Sequence, residues 1–123
     1  MTDYPDKEIT QAIIGAAFEV QNILGNGFLE KIYQNALVKE LNSRGYKAEP
    51  EVRVPVYYKN ELIGDYFVDI LVDEHIIIEL KACNGLTGEH EAQLLNYLKA
   101  TGHKLGLLLN FGTKRVQVKR KVL

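Results

Sequence analysis

Asp69 is a carboxylate inside an apolar run, Phe67-Val68-Asp69-Ile70-Leu71-Val72, where period-two alternation places it on the face of Phe67 and Leu71. An ionised group there is costly unless it is paired or binds a cation. Further on, Glu79-Leu80-Lys81 sets a second carboxylate and an ammonium one residue apart, and so on one face of the next strand. If a three-residue loop, Asp73-Glu74-His75, joins the two strands, Val72 pairs with Ile76 and Asp69 falls opposite Glu79. Facing residues have Cβ atoms about 4.5 to 5.5 Å apart. Two carboxylates that close do not both ionise comfortably without a cation between them. Hard divalent ions such as Mg²⁺, with Mn²⁺ as a substitute, take oxygen ligands; both carboxylates, the backbone carbonyl of Leu80 and waters make a suitable set.

Other side chains are candidates to support such a site. Glu30 lies within about 20° of the helical azimuth of Leu37 and Leu41, which predicts an inward carboxylate in need of compensation. Gln93 and Tyr97 are four residues apart, with His90 one turn earlier, so they form a polar stripe on one helix. His90 reads either as a helix-start residue or as a phosphate contact. Tyr33 packs in the core, with its hydroxyl expected to find a partner near the site. Asp65 shares strand parity with Asp69 but lies toward Gly64 and ranks second. His75 reads as a turn residue, His103 as a helix-end residue, and Cys83 as a small core residue rather than a nucleophile.

The elements that must position these groups follow from periodicity. Ile9, Ile13, Ala17, Val20 and Leu24 recur at helical spacing over 6–24 and stop at Gly25-Asn26-Gly27. A second helix over 29–44 buries Ile32, Tyr33, Ala36, Leu37 and Leu41 and ends at Gly45. Strands follow over 51–58, 61–72 and 75–82, with Lys59-Asn60 as the first turn. The runs Ile76-Ile77-Ile78 and Leu105-Gly106-Leu107-Leu108-Leu109 are apolar on both faces, as central covered strands are. Between them a helix over 89–100 crosses the sheet, and 116–122 alternates apolar with basic residues as an edge strand does. The expectation is one α/β domain over 1–123: a mixed five-stranded sheet flanked by helices, in the order helix, helix, three strands, helix, two strands.

Gly27-Phe28-Leu29-Glu30-Lys31-Ile32-Tyr33 matches the signature of the GxxExxY family, a branch of the PD-(D/E)XK nuclease-like superfamily, and the resemblance runs from about Ile9 to the C-terminus. Gln93-Leu94-Leu95-Asn96-Tyr97 looks like the Q-x-x-x-Y motif of its RecB-like and lambda-exonuclease-like branch. The resemblance implies a restriction-endonuclease-like core in which Asp69 and Glu79 ligate Mg²⁺, Lys81 assists the attacking water, and Glu30 adds to the metal shell. Gln93 and Tyr97 would support the site or its substrate. Val68 stands where the superfamily's motif has proline.

Composition bounds the alternatives. The chain has 123 residues, 46% of them hydrophobic, and a formal net charge of −1. No stretch reaches the roughly 18 uninterrupted apolar residues of a membrane helix, so no membrane partner is expected, and the N-terminus MTDYPDKE is too polar for a signal peptide. One cysteine allows no internal disulfide and fits a reducing cytoplasm. Residues 92–123 carry seven Lys or Arg and no Asp or Glu; that basic end either meets phosphates or is simply solvated. Two functions compete. The first is a Mg²⁺-dependent nuclease on nucleic acid, with DNA the expected substrate. The second is a non-catalytic module that binds nucleic acid or protein, since the small, near-neutral chain has little gripping surface unless a homodimer or partner supplies it.

Overall fold

The computed structural model describes residues 6–123. Its elements, in chain order, are α1 (Lys7–Leu24), α2 (Glu30–Ser43), β1 (Ala48–Tyr58), β2 (Glu61–Val72), β3 (Ile76–Lys81), α3 (Gly88–Thr101), β4 (Leu105–Asn110) and β5 (Gln117–Val122). The five strands form one mixed sheet in the order β1-β2-β3-β4-β5, parallel only between β3 and β4, where α3 makes the crossover. This is the α/β, restriction-endonuclease-like arrangement expected from the sequence. Among the described residues no helix is long and apolar enough to cross a membrane.

Local chemistry sets the boundaries. Lys59 and Asn60 both adopt left-handed backbone (φ 48° and 67°), which suits the twist of a two-residue hairpin. In the next hairpin Val72 pairs with Ile76 across Asp73-Glu74-His75, as expected. Thr87 caps α3, and Gly102 at φ 78° ends it with a bond to the Leu98 carbonyl. On one face of the sheet α1 and α2 bury Ile13, Val20, Tyr33, Leu37 and Leu41 against Ile70, Ile78, Leu80 and Leu107. On the other, Leu94 and Leu98 of α3 cover Val68, Leu71, Ile77 and Leu108. β3 and β4 are therefore apolar on both sides because both sides are covered.

Strand alternation breaks at one level of the sheet. On β1, Ala48 packs toward α1 and α2, whereas Val52 and Val54, of the same parity, pack toward α3. On β2, Ile70 and Val72 face α1 and α2, whereas Val68 and Tyr66 face α3. Both reversals occur between Pro50↔Ile70 and Val52↔Val68, at Glu51 and Asp69, and Glu51 has φ 52°. The pair of strands keeps its register but exchanges its faces. This corrects the expectation that Asp69 and Phe67 share a face: beyond the reversal Phe67 is 55% exposed.

The exit of the Lys81 strand is also fixed. The Phe111 N–H donates to the Lys81 carbonyl at 2.8 Å. Buried Asn110 holds both backbone groups of Cys83 at 3.0 Å through its side-chain amide. A Cβ on Gly112 would stand 2.3 Å from the Cys83 carbonyl oxygen and 2.4 Å from its nitrogen, so only glycine fits. Gly112→Ala is therefore expected to destabilise the protein by about 1–3 kcal/mol, read as a lower urea midpoint at unchanged slope.

Candidate active site

β2 and β3 pair through Ile70↔Ile78 and then part, leaving the next facing residues, Asp69 and Glu79, without ladder bonds. Their side chains take over. The Asp69 N–H donates to Glu79 Oε2 at 3.0 Å, and the Leu80 N–H donates to Asp69 Oδ2 at 2.8 Å. The Asp69 carbonyl accepts from Nε2 of Gln34 at 2.9 Å, so a buried side chain of α2 replaces the missing strand partner. The two carboxylates are thus brought together by the opening of the sheet. The N–H and C=O of one strand residue leave on the same edge, so the Leu80 carbonyl is directed to the same opening as the Leu80 N–H.

Both acids are displaced from their ordinary range. Burial, followed by the charge of Asp69, pushes Glu79 up to about 7 against the pull of Tyr66, the Asp69 N–H and Lys81. Asp69 is also raised, first by burial, with the Leu80 N–H and then Lys81 opposing. Lys81 therefore acts electrostatically on both carboxylates. Glu51 and Lys31, which form an ion pair with each other, also reach Asp69, with opposite signs. Among the described residues no group of three or more His, Cys, Asp or Glu is arranged to hold a metal. The donors that do converge are two half-buried acids that oppose each other's ionisation, with the Leu80 carbonyl turned toward them. Asp69 Oδ1 takes no hydrogen bond among the described residues. Such an all-oxygen set with its charges unbalanced fits a hard divalent cation.

The other expected residues are placed differently. Glu30 is exposed at the first position of α2, not inward: it shares an azimuth with Leu37 and Leu41, but the buried residues of this helix begin only at Tyr33. One turn later on that azimuth Gln34 occupies the inward polar position. Tyr33 is 1% exposed and lies flat on Phe111, with ring centroids 4.6 Å apart. Its hydroxyl donates to the Gly25 carbonyl at 2.6 Å and accepts from the Phe28 N–H at 3.3 Å, so it closes the loop before Glu30 instead of reaching the acids. His90 completes the cap of α3, its Nδ1 accepting from the Thr87 N–H at 3.1 Å. Gln93 is exposed. Asp65 pairs with Arg53 at 2.5 Å on the exposed hairpin.

Tyr97 enters the site through a residue that sequence reasoning missed. Its ring stacks on that of Tyr66 with centroids 3.7 Å apart, and the Tyr66 hydroxyl donates to Glu79 Oε1. Burial, then the charge of Glu79, keeps the Tyr66 phenol far above its usual pKa, so it remains a neutral donor. Unbroken alternation would put Tyr66 on the face opposite Asp69. Only the reversal at Asp69 turns it toward α3. For Gln34 a signal was present, since it is polar within the Tyr33-Leu37-Leu41 stripe.

A five-stranded mixed sheet flanked by helices, opening between β2 and β3 at a facing Asp and Glu with a lysine two residues on, is a restriction-endonuclease-like α/β fold. The family model of the PD-(D/E)XK nuclease superfamily matches residues 7–121, and the chain belongs to that superfamily. Its nucleases generally use divalent metal ions and act on nucleic acid. No curated protein matches the chain. Among solved structures, the crystal structure of SSO0001 is similar in fold, with a TM-score of 0.58 at 22% identity over 95% of this chain. The chain spans 58% of the length of that structure's chain.

Proposed function

We propose that the chain is a Mg²⁺-dependent phosphodiesterase acting on nucleic acid, with DNA as substrate, of the GxxExxY branch and akin to the RecB-like and lambda-exonuclease-like enzymes. The observation that carries this reading is the reciprocal placement of Asp69 and Glu79, each side chain accepting from the other strand's backbone beside Lys81. Asp69, Glu79 and the Leu80 carbonyl would hold the ion, which when bound polarises the phosphate and lowers the pKa of a water. Lys81 orients the nucleophilic water and balances negative charge as it develops on the phosphoryl oxygens. Buried apolar residues on the α3 face of the sheet, Val68, Ile77 and Leu108, border the opening and keep the carboxylates poorly solvated, which strengthens their hold on a cation. Exposed Glu30 and Gln93 stand available to substrate rather than in the core.

The purified chain is expected to melt higher in millimolar Mn²⁺ or Mg²⁺ than in EDTA, and to cleave single-stranded, double-stranded or branched DNA only with the ion present. Cleavage unaffected by EDTA would refute the metal-dependent reading. Metal stabilisation without cleavage of any of these would instead place the chain among non-catalytic binding modules that keep the fold.

A further inference from the structure

We infer that Tyr66 is the positioning residue of the cation site, holding the Glu79 carboxylate beside Asp69, and that Tyr97 acts by fixing Tyr66. This rests on the metal-centre reading above but assigns a role to residues outside its ligand set.

Two negative groups forced together separate unless something restrains them. Asp69 is tied to the backbone through the Leu80 N–H and cannot easily move. Glu79 has a longer side chain, and rotation about its torsions would carry its carboxylate away and relieve the repulsion. Two donors oppose that rotation, one on each oxygen: the Asp69 N–H on Oε2 and the Tyr66 hydroxyl on Oε1. Each oxygen keeps a further lone pair, so the group is oriented without being saturated. The phenol can hold this position because its ring lies against Tyr97, with 26° between the planes, and belongs to the cluster that includes Leu94 and Leu98. Three elements therefore converge on one carboxylate: β2 supplies the donor, β3 the acid, and α3 the platform. Groups that orient a ligand carboxylate characteristically set metal affinity by about 10- to 100-fold.

The test is calorimetric titration of Mn²⁺ into the full chain after removal of bound metal with EDTA, with folding checked by circular dichroism. Tyr66→Phe keeps the ring and removes only the donor; its Kd for Mn²⁺ is expected to rise about 10- to 100-fold. Tyr97→Leu keeps the donor and removes the platform; its Kd should rise by a smaller factor. A wild-type chain that binds no Mn²⁺ overturns the metal-centre reading itself. If wild type binds and folded Tyr66→Phe binds within twofold of it, the metal centre stands and the positioning role is overturned. Should Tyr66→Phe fail to fold, Tyr97→Leu decides on the same scale, an unchanged Kd overturning the role.

Discussion

Lys81→Ala is expected to lower metal-dependent cleavage by roughly 10²- to 10⁴-fold, while Mn²⁺ continues to raise the melting temperature of the variant. The two outcomes separate because the ammonium is not a ligand. It lies two residues beyond Glu79 on the same strand face, and its charge favours the ionised forms of both acids. Removing it takes a positive charge from the place where phosphoryl negative charge would grow, yet leaves both carboxylates and their backbone donors in position. Lys81→Arg should recover little, since a planar, forked guanidinium does not substitute for a compact point charge. Asp69→Asn, by contrast, should abolish both cleavage and Mn²⁺ stabilisation. If Lys81→Ala cleaved as fast as wild type, this lysine would have no part in the chemistry.

The fold was legible because each long-range decision had a local cause. Ile76-Ile77-Ile78 and Leu105 to Leu109 are apolar at both parities, and strands of that kind need cover on both faces. A helix between two such strands makes their connection parallel, and the Val72↔Ile76 register followed from the length of one loop. β1 runs from Ala48, three residues before the sequence suggested, because Ala48 to Pro50 pair with the covered end of β2 although their side chains look loop-like.

The facing of the two acids of the candidate site was legible; what holds them was not. Register alone put Asp69 opposite Glu79. The exchange of faces at Glu51 and Asp69 leaves no trace in composition, because a non-glycine residue with φ 52° carries no sequence mark. Plain alternation consequently gives Tyr66 no role and sets Phe67 on the wrong face. Glu30 failed for another reason: helical azimuth tells which way a side chain points, but not whether anything lies there to cover it. The same azimuth one turn later would have found Gln34, whose amide replaces a strand partner for Asp69.

Glu79→Gln is expected to stabilise the metal-free protein above pH 7 and to abolish its response to Mn²⁺. In the folded chain Glu79 titrates near 7 instead of its ordinary 4.5, so between those values the folded state holds a proton that the unfolded chain has released. Stability then falls as pH rises, being fully present below about 4.5 and lost through about 7, by roughly 3 kcal/mol in all. Asp69, also raised, adds a loss of the same sign. Glutamine mimics the protonated acid and removes Glu79's part of the slope. It offers one acceptor where the carboxylate offers two, so either Tyr66 or the Asp69 N–H loses a partner, which offsets about 1 kcal/mol of the gain. The net of roughly 2 kcal/mol corresponds to a melting point higher by about 5–10 °C at pH 8 in EDTA, with no gain at pH 4. In Mn²⁺ the order should reverse at pH 8, because the cation binds the wild-type pair and has too few charges to hold in the variant. Equal melting points for the two proteins at pH 8 in EDTA, with no pH slope in either, would show that the acids do not oppose each other. The electrostatic reason for a cation at this opening would then be gone.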